Sequence, residues 1–151
     1  MEAVASLLNE HFVMVKVHRT TDEAQALGYL WTPTVIFYSA DGIERMRSVG
    51  YLPEATMVNR IRLGLGAVHL GEKRNDEAAM WFRLAAEGGV GDQRAEGRYW
   101  LGVARFRAGG GDKVAWQEEW GRLREEHPDS EWTQKASPLW VPAREKPKVR
   151  L

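Results

Sequence analysis

The chain has 151 residues, with Lys plus Arg and Asp plus Glu balanced at 21 each and no cysteine. That balance leaves no basic field to draw in nucleic acid, and without a thiol there is no disulfide, thiolate nucleophile or zinc–thiolate site. No run approaches the ~18 apolar residues of a membrane span, and Met1-Glu2-Ala3 lacks the basic flank and apolar core of a secretion signal, so a soluble, cytoplasmic protein without membrane partners is expected.

Ala3, Val4, Leu7 and Leu8 form an apolar stripe that predicts a short helix ending near Asn9-Glu10. Phe12, Val13, Val15 and Val17, with Lys16 and His18 at alternate positions, read as a strand with one buried and one wetter face. Thr20-Thr21-Asp22 can cap a second helix over Asp22–Leu30, with Ala24, Leu27 and Leu30 inward and Gly28 weakening it. Proline has no N–H, so Pro33 belongs at the mouth of the next strand, and Thr32-Pro33 is the candidate cis bond of a tight turn. Thr34 to Tyr38 is a continuous apolar run suited to a strand buried on both sides, Asp41-Gly42 is a hairpin signal, and Ile43 to Val49 is the returning antiparallel strand. Pro53 opens a long helix to Leu70, with Ala55, Val58, Ile61, Leu65 and Val68 on one face. Gly64 and Gly66 each cost that helix roughly 1 kcal/mol against Ala, which suggests a close approach or a bend.

From Leu70-Gly71 onward, helices punctuated by glycine replace the strand pattern. Asn75-Asp76 caps a helix with Ala78, Trp81, Phe82 and Ala85 on one face, closed by Gly88-Gly89. Asp92 caps the next, with Ala95, Tyr99, Gly102, Val103 and Phe106 inward, and Gly109-Gly110-Gly111 follow it. Asp112 caps a third carrying Trp116, Trp120 and Leu123 as far as His127-Pro128, and a short fourth from Asp129 or Ser130 holds Trp132 and Ala136. From Pro142 the prolines and basic residues read as a disordered tail.

The order of strand Phe12–Val17, acidic helix, Thr32-Pro33-Thr34, strand Val35–Tyr38, Asp41-Gly42, third strand, Gly50-Tyr51 and long helix resembles the C-terminal two-thirds of a thioredoxin-like α/β domain over residues 1–70. Arg98-Tyr99-Trp100-Leu101-Gly102-Val103-Ala104 together with His127-Pro128-Asp129-Ser130-Glu131-Trp132 resembles a tetratricopeptide-like repeat, giving an all-α extension over residues 71–141 before the tail at 142–151. The first resemblance implies that Trp31, Thr32 and Pro33 lie on a peptide-docking edge, with Trp31 either a flat contact or a lid; the plainer reading is a turn that merely shapes the fold. It also implies that the segment carrying Cys-x-x-Cys, and with it the central strand of the sheet, is missing. The chain is therefore expected either to pair through open strand edges, as a homodimer, or to be poorly stable.

Trp100, Trp116 and Trp120 are either core or the lining of a groove for a partner helix or peptide. His11, His18, His69 and His127 have no ligand spacing, His18 being a titratable group at a strand end, and Asp76-Glu77 and Glu118-Glu119 look like solvated helix faces. No catalytic, cofactor-binding or metal-binding residue is assigned, and no cofactor is expected. The functional expectation is a protein- or peptide-interaction module without thiol redox chemistry. The alternatives are an N-terminally truncated member of a thiol–disulfide oxidoreductase-like family and a helical scaffold or assembly protein.

Overall fold

A computed structural model describes residues 2–137, in which seven helices and two strands follow one another as α1 (Glu2–His11), α2 (Asp22–Ala26), β1 (Thr34–Tyr38), β2 (Glu44–Val49), α3 (Glu54–Gly71), α4 (Asn75–Gly88), α5 (Asp92–Ala108), α6 (Lys113–Glu126) and α7 (Glu131–Ala136). The tail expected at 142–151 lies outside the described residues.

The strands form an antiparallel hairpin in which Thr34 pairs with Val49, Val35 with Ser48, Ile36 with Arg47 and Phe37 with Met46. Its turn is built as Asp41-Gly42 predicts: Gly42 has φ of 77° and donates its N–H to the Ser39 carbonyl at 2.9 Å. One face of the hairpin presents Val35, Phe37 and Met46 to Ile61, Leu65 and Val68 of α3 and to Trp81 of α4. Val4, Leu7, Leu8 and Phe12 add α1 and its exit to the same cluster. A second cluster lies on the far side of α3, where Leu63 and Leu70 meet Ala78, Phe82, Ala85, Leu101 and Ala104 of α4 and α5. A third holds α5, α6 and α7 together through Ala95, Trp120, Leu123 and Ala136.

Helix α3 thus lies between two layers and is apolar on both sides, whereas the sequence pattern identified only the Ile61–Leu65–Val68 face. The two glycines make this possible. A Cβ on Gly64 would come within 2.6 Å of the Phe37 ring, and one on Gly66 within 2.5 Å of the Phe82 ring. Residues two apart on a helix differ by roughly 200° in direction, so the two rings press on nearly opposite sides.

The three-strand thioredoxin-like α/β arrangement expected for residues 1–70 is not formed: among the described residues the only sheet is the two-stranded β1–β2 hairpin. Residues 12–17, expected to be a strand, have no regular secondary structure and pair with no strand. A valine-rich run acquires strand structure only beside a partner strand, and an isolated, exposed one leaves its N–H and C=O groups to water. The second helix stops at Ala26, four residues early, because Gly28 takes φ of 61°; Leu30, expected inward, is exposed. Strand β1, expected to be buried on both sides, has only Phe37 fully buried, with Thr34, Val35 and Ile36 half-buried and Tyr38 exposed. The helices expected after residue 71 all form, each packed on the one before it. No helix of the described residues is long and apolar enough to cross a membrane.

Glu118-Glu119, read from sequence as a solvated face, is half wrong. Glu119 is buried and accepts hydrogen bonds from Arg98 at 3.2 Å and Arg105 at 2.7 Å, and Arg98 also reaches Glu126 at 2.9 Å. A buried carboxylate between two guanidiniums is tolerable because each charge is paired and hydrogen-bonded.

Close packing gives two glycines opposite responses to the same substitution. A Cβ on Gly97 would sit 2.6 Å from the backbone nitrogen of Ala86, which cannot swing aside, while one on Gly121 meets nothing within 4 Å. Gly97→Ala is expected to destabilise by about 2 kcal/mol through overpacking, and Gly121→Ala to stabilise by up to about 1 kcal/mol through helix propensity. Urea unfolding midpoints of the two variants check both signs.

Candidate interaction surface

Among the described residues, the stretch between α1 and α3 carries most of the exposed large apolar side chains. Val13 is 95% exposed, Val15 78%, Leu30 85%, Trp31 69% and Tyr51 78%, with Val17, Tyr38, Ile43 and Val49 also uncovered. In residues 54–137 only Met80, Leu84, Val90 and Val114 are comparable. Solvent-exposed apolar side chains occur singly in any protein, but a concentration of this kind marks a contact region.

Backbone geometry defines one border of that region. The Gly50 N–H donates to the Pro33 carbonyl at 2.8 Å and the Ser39 N–H to the Ile43 carbonyl at 3.0 Å, which sets the phase of the hairpin ladder. Residues 33, 35, 37 and 39 therefore direct their polar backbone groups at β2, and Thr34, Ile36 and Tyr38 direct theirs away from it. No other strand pairs with that edge among the described residues. The backbone of residues 13–17 likewise makes no hydrogen bond there: the flanking bonds are Phe12 N–H to the Leu8 carbonyl and Thr21 N–H to the His18 carbonyl.

The turn leading into β1 is held from several sides. Thr32-Pro33 is cis, and the Thr34 hydroxyl donates to the Trp31 carbonyl at 2.5 Å. Arg47 donates to the carbonyls of Leu27 at 3.1 Å and Gly28 at 3.0 Å, tying the end of α2 to β2. Its other partner is Glu44, at 2.5 Å; that hydrogen bond holds the Glu44 carboxyl below its usual range and raises the Arg47 guanidinium. The turn consequently presents Trp31 as an exposed plane at the entrance to β1, and Thr32 and Pro33 are exposed beside it.

The tryptophans of the helical half are arranged differently. Trp120 is 4% exposed, stacks on Tyr99 with ring centroids 5.0 Å apart and donates its indole N–H to the Tyr99 carbonyl at 3.1 Å. Trp116 meets Trp120 edge-on at 4.7 Å, and Trp100 lies between Phe82 and Trp132, both at 6.2 Å. Trp100 and Trp116 are half-buried, so these three residues meet as parts of a packed aromatic cluster, with Trp120 inside it. Two surface hollows among the described residues lie elsewhere: an open one of about 530 Å³ lined by Gly121, Arg124, Glu125, Pro128 and Thr133, and one of about 360 Å³ around Gly91, Asp92 and Ser130.

The histidines do not converge. His11 packs edge-on against Trp81 at 4.9 Å, His18 pairs with the Thr20 hydroxyl at 2.8 Å, and His69 is held below its ordinary pKa by burial and by Arg74. Among the described residues no group of three His, Asp or Glu side chains could hold a metal ion. The features missed by sequence reasoning are the exposure of Leu30 and Tyr51 and the unpaired state of residues 13–17. Comparison with family models, with curated proteins and with solved structures finds no match, so neither the thioredoxin-like nor the tetratricopeptide-like resemblance stands as a family assignment.

Two tryptophans separate surface from core. Trp31→Ala is expected to change stability by no more than about 0.5 kcal/mol, and Trp120→Ala to cost about 3–5 kcal/mol, both read from urea unfolding.

Proposed function

We propose that this protein is an interaction module that takes up an extended, apolar segment of a protein or peptide along β1, next to Trp31, Thr32 and Pro33. The observation that carries this reading is the free edge of β1 in the middle of the exposed apolar stretch. Outward backbone groups at Thr34, Ile36 and Tyr38 match the backbone of an added strand, and apolar side chains on that strand would cover Leu30, Trp31 and Tyr51. In strand addition of this kind the main chain supplies affinity and alternate side chains supply selectivity. The helical half serves as the rigid support, since α3 holds the hairpin on one side and α4–α5 on the other.

This reading assigns no bond-making chemistry to the chain. It is favoured over a scaffold that binds through the tryptophans of α5 and α6, because those rings are engaged with one another and Trp120 is buried.

Selection from a display library of unstructured peptides tests the proposal. Enriched peptides are expected to alternate apolar residues, to shift the backbone amide signals of Thr34, Ile36 and Tyr38 on binding, and to lose at least roughly tenfold in affinity, about 1.4 kcal/mol, against Trp31→Ala. Enrichment of peptides that shift only signals of α4 to α7 would contradict it.

A further inference from the structure

We propose that the strand taken up at β1 is the Val13–Val17 segment of a second copy of this chain, exchanged reciprocally so that each copy gives one strand and receives one. This rests on the strand-uptake reading above and names its partner.

Each copy carries both halves of the contact. Residues 13–17 have no helix or turn assigned, are free of backbone hydrogen bonds and exposed, and they match the five residues of β1 in length. Within one chain the two are not joined: the sheet ends at β1. Reciprocal exchange gives a two-fold, self-complementary contact, the commonest way for a soluble protein to form a closed pair. A free edge and a free strand on the same molecule leave association as the available route to pairing both.

The apolar surface is available. Val13, Val15, Leu30, Trp31 and Tyr51 are each more than two-thirds exposed on each copy, the kind of uncovered apolar surface that a partner covers. Charge does not oppose the pairing. The formal net charge of the chain is zero, and between residues 12 and 17 the only charged residue is Lys16. β1 itself has none, so no like charges face each other across the new ladder.

Proline substitution isolates the contact. Successive N–H groups of a strand point to opposite sides, so Met14→Pro with Val15→Pro removes a donor on whichever side meets β1. Neither N–H is bonded within the chain, so the monomer fold has no hydrogen bond to lose. Light scattering across three decades of concentration is expected to give the parent chain twice its 17.1 kDa mass. The double-proline variant should remain at the single mass, with helical circular dichroism and melting temperature unchanged at low concentration. A synthetic peptide of residues 12–18, added in excess to the parent chain, should convert the dimer to a peptide-bound monomer. A dimer that persists in the double-proline variant would overturn the proposal by placing the contact on another surface. A parent chain that is monomeric at every concentration overturns it as well; if that monomer still binds the peptide at β1, strand uptake stands and only the second copy is wrong. If the variant loses its helical signal, a Val13→Asp/Val15→Asp variant takes its place, with the same single mass expected and a retained dimer again contradictory.

Discussion

Phe37 and Phe82 press on helix α3 from opposite sides, at Gly64 and Gly66, and the arrangement of the described chain depends on that pinch. Any larger residue at either position would put a Cβ within 2.6 Å of a ring carbon. The hairpin would then have to lift away from α3 on one side, or α4 and α5 on the other. The two glycines weaken the helix by roughly 1 kcal/mol each, and the close approach they permit buries Ile61, Leu63 and Leu65 almost completely. For well-packed apolar side chains that burial is worth about 1.5–3 kcal/mol each, so the exchange favours the glycines.

From α3 outward the two halves are finished by different means. The helical half closes on itself: aromatic rings of α5, α6 and α7 pack face and edge against one another, and the Arg98–Glu119–Arg105 network pairs charges that would otherwise be stranded between α5 and α6. A second interhelical pair, Arg60 with Glu96, joins α3 to α5, with burial raising the Glu96 carboxyl above its ordinary value despite the guanidinium. The half containing the hairpin is finished on one face only. Its second face has the Arg47 clamp to Leu27 and Gly28 but leaves Tyr38 and Val49 in water, and its first strand has a bare edge. A closed, packed core in one half and unsatisfied pairing capacity in the other is the division expected of a support and a contact surface.

The helical half was readable because its signals are local. Asp112 and Ser130 accept hydrogen bonds from the backbone of the first turns they precede, and Gly88-Gly89 and Gly109 fall at helix ends, so α4 to α7 lie close to their expected bounds. The Asp41-Gly42 hairpin and the cap at Thr21 were legible for the same reason. What failed depended on partners far along the chain. The period-two pattern of residues 12–17 describes a strand only where it pairs with another, and among the described residues it pairs with none. Leu30 and Glu119 were assigned to the wrong environment because burial depends on what packs opposite: Leu30 follows a helix that ended early, and Glu119 faces two arginines on another helix. The proposed contact region had a partial signal in Trp31-Thr32-Pro33. Its extension to Val13, Val15 and Tyr51 had none, since apolar residues there read equally well as core.

The central claim is that β1 is an open edge held on a helical support. Residue-resolved hydrogen exchange at a concentration low enough to keep the chain monomeric tests it most directly. The account predicts an alternation along one strand, with the amides of Val35 and Phe37 protected by β2 and those of Thr34 and Ile36 exchanging at nearly unprotected rates. Equal protection of all four amides in the monomer would mean that another segment of the same chain pairs with β1, and would contradict it.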